Sequence, residues 1–131
     1  MRLKNLICTL VLLIAPLALF AQNVIDKAVD EYSSIGKSTF TSAVERDPNT
    51  RKVLKVVKVL QPTDITINKL RRAFFEEQKN GQFSLVTNEE EETMTLTMEN
   101  SKENRVYMMQ YTHRGASFSN GKVTIIIKYK Q

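Results

Sequence analysis

The chain has 131 residues, 42% of them hydrophobic, with 19 lysines and arginines against 14 aspartates and glutamates, a formal charge of +5. That length suits a single domain with its own core. One cysteine and one histidine exclude a disulfide scaffold and leave no partners for a cysteine–histidine metal or nucleophile set.

The opening segment, MRLKNLICTLVLLIAPLALFA, has a basic head (Arg2, Lys4), an apolar stretch from Leu6 to Phe20 and a small residue, Ala21, before polar sequence resumes at Gln22. This is the plan of a cleavable secretory signal over residues 1–21. As a membrane span it falls short of the roughly 20 apolar residues required, and Pro16 interrupts it. Cys8 lies inside the leader and lacks the small residues that precede a lipid-acylation site. The expected mature form is therefore exported, periplasmic or extracellular, with no cysteine and no transmembrane anchor. Cleavage after Ala21 leaves residues 22–131, 110 residues in one domain, with 17 basic residues against 14 acidic once Arg2 and Lys4 are gone, a formal +3.

Over residues 24–35, Val24, Ile25, Ala28, Val29, Tyr32 and Ile35 recur every three or four positions and Gly36 follows, which predicts a first helix. Asp26, Asp30 and Glu31 are expected on its wet face, with Lys27 and Glu31 spaced to pair. STFTSAVE, residues 38–45, reads as a strand, and Asp47-Pro48-Asn49 after it as a turn.

RKVLKVVKVL, residues 51–60, has two readings. As a helix, Lys52, Lys55 and Lys58 would line one basic stripe for a charged surface. Valine, however, loses rotamer freedom in a helix and packs well on a pleat, and four of the six apolar residues here are valine. The segment is predicted as a strand, with Lys52, Leu54, Val56, Lys58 and Leu60 on one face and Val53, Lys55, Val57 and Val59 on the other. The basic stripe then divides between two faces, and no nucleic-acid partner is expected.

Beyond Pro62, an apolar arc of Ile67, Leu70, Phe74 and Phe75 predicts a second helix ending at Asn80-Gly81, with Asp64 or Thr66 as candidate cap and Glu76 and Glu77 in reach of Arg72. Strands follow over residues 83–87, 93–99, 105–112 and 122–130. Residues 100–104 suit a hairpin turn, and Asn120-Gly121 is the strongest short-range hairpin signal in the chain. The expected fold is α+β, an antiparallel sheet of about six strands with two helices packed on one face. A curved-sheet cone of the nuclear-transport-factor-like kind, with a small-ligand pocket, is the alternative. Its usual three helices ahead of the sheet are not visible.

The leader ending in LFAQ, the helix opening at Ile25-Asp26, the run ERDPNTRKVLKVVKVL, the helix containing LRRAFFEEQKNG and the methionine- and tyrosine-rich tail resemble small exported α+β domains of unknown function from Gram-negative gut anaerobes. The resemblance covers most of the exported chain. It implies an envelope location and carries no assigned functional residues.

No motif carries chemistry. Ser34 to Lys37 matches S-x-x-K without the partner motifs S-D-N and K-T-G. Gly36-Lys37-Ser38 matches the end of a phosphate-binding loop, but Glu31 stands where that loop needs its first glycine. His113 reads as a partly exposed strand-end residue, and Glu89 to Glu92 as a solvated charged edge. No catalytic residue, metal or cofactor is expected, and the protein is read as a non-enzyme.

The tail is the candidate partner surface. If Met108 faces the core, Tyr107, Met109 and Tyr111 face the opposite way as a partner-binding set, because methionine and tyrosine adapt to irregular partners. Core packing of the same three residues is the competing reading. The primary expectation is an envelope module that binds a protein or other macromolecule. The alternative is a small-ligand pocket beside Phe74 and Phe75.

Overall fold

A computed structural model describes residues 23–131; the expected leader, residues 1–21, and its expected cleavage site lie outside the described residues. Helix α1 spans Val24–Ser33, strand β1 Thr39–Arg46, β2 Val53–Gln61, and helix α2 Ile67–Glu77 between short 3-10 turns. Strands β3 (Gln82–Asn88), β4 (Glu91–Glu99), β5 (Glu103–Arg114) and β6 (Ser117–Tyr129) complete the order. All six strands form one antiparallel sheet in the order β1-β2-β6-β5-β4-β3. The last strand thus enters the middle of the sheet and joins the β1–β2 hairpin to the β3–β4–β5 meander.

The valine-lysine segment is strand β2, as its propensities predict. Lys58 and Leu60 stand opposite Ile125 and Val123 on the covered face, and Val57 and Val59 stand opposite Ile126 and Thr124 on the other. The turn before it closes on Asp47, whose Oδ1 accepts from the Asn49 and Thr50 amides at 2.7 and 2.8 Å. These two backbone donors hold the Asp47 carboxyl below its ordinary range.

The core lies between the helices and one face of the sheet. Ile25 and Val29 of α1 and Leu70 and Phe74 of α2 pack over Leu60, Met94, Leu96, Tyr107, Met109, Val123 and Ile125. Each sheet residue in that set belongs to the same pleat face, the periodicity that buries one side of an antiparallel sheet.

Three local expectations are corrected. Asn120-Gly121 does not turn a hairpin: it lies inside β6 as a bulge, where Gln110 faces Lys122 and Thr112 faces Ser119, one residue out of step. Asn120 supplies the left-handed φ of 54° there, and the hairpin is closed instead by Gly115 at φ 58°. Asp26 is buried, not wet: α1 begins with a capping box in which Asn23 accepts from the Asp26 amide and Asp26 accepts from the Asn23 amide. Glu77 is likewise buried and accepts from the Val24 amide and from Asn80 Nδ2, both at 2.8 Å, so it ties α2 to the start of α1.

Candidate functional site: the helix-free sheet face

Strand β5 fixes the geometry. Tyr107 and Met109 are completely buried and Tyr111 nearly so, all under the helices. The three residues expected to form an uncovered partner surface are therefore interior, and the parity of the strand presents Val106, Met108 and Gln110 on the other side. The reason is chemical: Tyr107 and Tyr111 each find a side-chain hydrogen-bond partner on the helix side, which an aromatic hydroxyl needs when its ring is taken from water.

Around Tyr107 the partners form a closed polar cluster. Its hydroxyl donates to Asp26 Oδ2 at 3.2 Å and accepts from Asn23 Nδ2 at 3.0 Å and Arg105 Nη1 at 3.1 Å. Arg105 also reaches Asp26 Oδ2 at 3.1 Å and Glu103 Oε1 at 2.8 Å. Burial pushes the Tyr107 phenol up to about 12, so it stays neutral. Burial also raises the Asp26 carboxyl despite the guanidinium beside it, whereas its acidic and phenolic partners raise Arg105 despite its own burial. The two shifts point to one picture: of the charged groups in the cluster Asp26 is the most buried, at 6% side-chain exposure, and desolvation dominates there.

A second cluster forms around Tyr111, whose hydroxyl accepts from Arg71 Nε at 2.8 Å. Burial pushes this phenol up to about 12, with Glu92 adding to the rise. The Arg71 guanidinium lies 4.5 Å from the centre of the Phe118 ring, and His113 stacks on the far part of that cluster, 4.4 Å from Phe118. Arg71 is thus an aromatic-packed residue of the core margin. His113 Nδ1 stands 3.6 Å from Glu92 Oε1, an atom buried without a hydrogen-bond partner.

The helix-free face has a different character. Val57, Ile126, Val106 and Thr97 stand in one cross-strand row, and Val59, Thr124, Met108 and Thr95 in the next; all eight are half-buried. Charged rows border this centre, with Lys55, Lys128 and Glu99 on one side and Lys122 on the other. An apolar centre with a polar margin is the anatomy of a protein-binding patch. No family model, curated protein or solved structure matches this chain.

The sequence contains the signal for this face in the unbroken apolar pair Ile126-Ile127 of β6 and in Val57 and Val59 of β2. A strand with one wet side would not place valine and isoleucine there. A polar cleft of about 530 Å³ also opens at one end of the sheet, where Gln61, Asp64, Glu91, Gln110, Asn120 and Lys122 are among its walls. It does not lie beside Phe74 and Phe75. Phe74 is fully buried, and the Phe75 ring packs on Phe83 at 5.8 Å. Among the described residues no three metal-ligating side chains converge, and no helix is long and apolar enough to cross a membrane.

Proposed function

We propose that this protein is a non-enzymatic, exported module of the cell envelope that binds a protein partner through the helix-free sheet face. The observation that carries the reading is the pair of apolar rows centred on Val106, Met108 and Ile126, which no helix among the described residues covers. Three lysines in its margin, Lys55, Lys122 and Lys128, favour a partner whose apolar contact surface has an acidic rim. The non-enzymatic reading is supported by the interior ionisable groups: Asp26, Glu103, Arg105 and Tyr107 bond to one another, out of reach of a substrate. Export is supported by the leader in residues 1–21.

A photo-reactive amino acid at position 108, activated in intact cells, identifies the partner by mass spectrometry; its affinity is then measured with purified protein. Ile126→Lys and Val106→Lys are expected to weaken that affinity by more than about 100-fold, because each places a charge in a desolvated apolar centre, while the thermal midpoint moves little. Unchanged affinity in both variants removes the face from the account.

The cleft favours a second reading, a small-ligand binder of the cone type. Its walls combine Asp64 and Glu91 with Lys122, which suits a polar, hydrogen-bonding ligand. Under this reading a panel of neutral sugars and small amines contains compounds that raise the melting temperature of the wild type and not of Lys122→Ala. A flat response across the panel rejects it.

A further inference from the structure

Strand β1 is exposed along all eight of its residues and forms one edge of the sheet. Such an edge offers unpaired backbone groups to another strand unless it carries a proline, an inward charge or a cover. Residues 39–44, Thr-Phe-Thr-Ser-Ala-Val, carry no proline and no charge, and no element among the described residues covers them. On the helix side of the sheet β1 also shows two large apolar side chains to solvent, Phe40 at 37% and Val44 at 50% exposure.

We propose that β1 pairs with β1 of a second copy of this chain, antiparallel about a two-fold axis at Ser42, so that two six-stranded sheets join into one. This pairing is independent of the helix-free face and can hold or fail without it. Only this register matches the exposed residues. Phe40 and Val44 lie equally far from Ser42 on either side and on the same pleat face, so each Phe40 stands opposite Val44 of the other copy, twice by symmetry. A shift of the axis to Thr41 or Ala43 puts Phe40 or Val44 opposite Ser42 instead. Charge is compatible with the chosen register: Lys37 precedes the strand and Glu45-Arg46-Asp47 closes it with a net −1, so antiparallel pairing brings the basic start of one copy toward the net-acidic end of the other. The opposite edge, β3, fits less well. Its exposed Leu85 (42%) and Val86 (60%) are adjacent and point to opposite faces, and four glutamates follow directly.

The interface is one strand long, so the dimer is weak, in the micromolar range. Sedimentation velocity over a dilution series is expected to show a reversible monomer–dimer equilibrium, weakened more than about tenfold by Phe40→Lys and by Val44→Lys and unchanged by Val86→Lys. In the leader-free chain, residues 22–131, which holds no cysteine of its own, mild oxidation is expected to cross-link Ser42→Cys rapidly, because facing residues in an antiparallel pair have Cα atoms about 4.5–5.5 Å apart, within disulfide reach. Leu85→Cys should remain monomeric on a non-reducing gel. A monomer at all concentrations with no excess cross-linking of Ser42→Cys overturns the proposal, as does a dimer lost in Val86→Lys or Ile126→Lys but kept in Phe40→Lys. The dimer variants are expected to keep the partner affinity of the helix-free face, so failure of one reading is distinguishable from failure of the other.

Discussion

Arg105→Met is expected to lower the unfolding free energy by about 3–5 kcal/mol at neutral pH, the cost of removing one partner of a buried ion pair. Methionine keeps much of the side-chain volume, so the loss reports charge and hydrogen bonds more than a cavity. Without the guanidinium, Asp26 and Glu103 both lose the cation they share, and the Tyr107 hydroxyl loses a donor. The deficit should also depend on pH. Burial raises the folded Asp26 carboxyl above its ordinary value of 3.8, so its contribution to stability is full when protonated, below that value, and is lost as pH rises through the folded value. Removing Arg105 deepens the cost of the charged form. Urea unfolding of the variant against wild type should therefore show a smaller deficit at pH 4 than at pH 8. Equal deficits at the two values would place the effect in packing and not in the charge of Asp26.

Gly81→Ala is expected to cost about 3 kcal/mol, near the upper end of ordinary overpacking. A Cβ at this position would lie 2.5 Å from the backbone carbonyl oxygen of Thr97, with Met98 Cγ at 3.0 Å and Leu96 Cδ1 at 3.1 Å. The carbonyl belongs to β4 and cannot rotate away without disturbing its ladder with β3 and β5. Gly121→Ala offers the comparison. Its Cβ would meet Ile67 Cγ1 and Cδ1 at 2.9 Å and 3.0 Å and Pro62 Cγ at 3.2 Å, side-chain atoms and not a ladder carbonyl. A cost nearer 1 kcal/mol is expected there. Differential scanning calorimetry of the two variants ranks them, and a Gly81→Ala protein as stable as Gly121→Ala would contradict the close approach of residue 81 to β4.

The fold was legible wherever a residue type could serve only one face. Threonines between Met94, Leu96 and Met98 set the parity of β4, and Lys122, Thr124 and Lys128, on the face opposite Val123, Ile125 and Ile127, set that of β6 even though Ile126 interrupts their polar row. In β5 both faces are apolar, so Val106 and Met108 could not be told from Tyr107 and Met109 by alternation. The parity came from tertiary partners, since only one face could reach Asn23, Asp26 and Arg71. Asn120-Gly121 and Gly115 both provide left-handed backbone, and residue type alone does not say which is a turn and which a bulge. The buried state of Asp26 was marked in the sequence by the spacing Asn23-x-x-Asp26, a capping box at the helix start, whereas the burial of Glu77 depends on where α1 lands and left no local trace.

Two adjacent methionines allow the central proposal to be tested in one experiment. Met108 lies half-buried on the helix-free face and Met109 is wholly buried beneath the helices. Peroxide oxidation followed by residue-resolved mass spectrometry reads both. In purified protein Met108 should oxidise at least tenfold faster than Met109, and in intact envelopes Met108 should become protected while the rate at Met109 stays the same. Equal rates at the two positions, or a Met108 just as reactive in the envelope as in isolation, would contradict the assignment of that face to a partner.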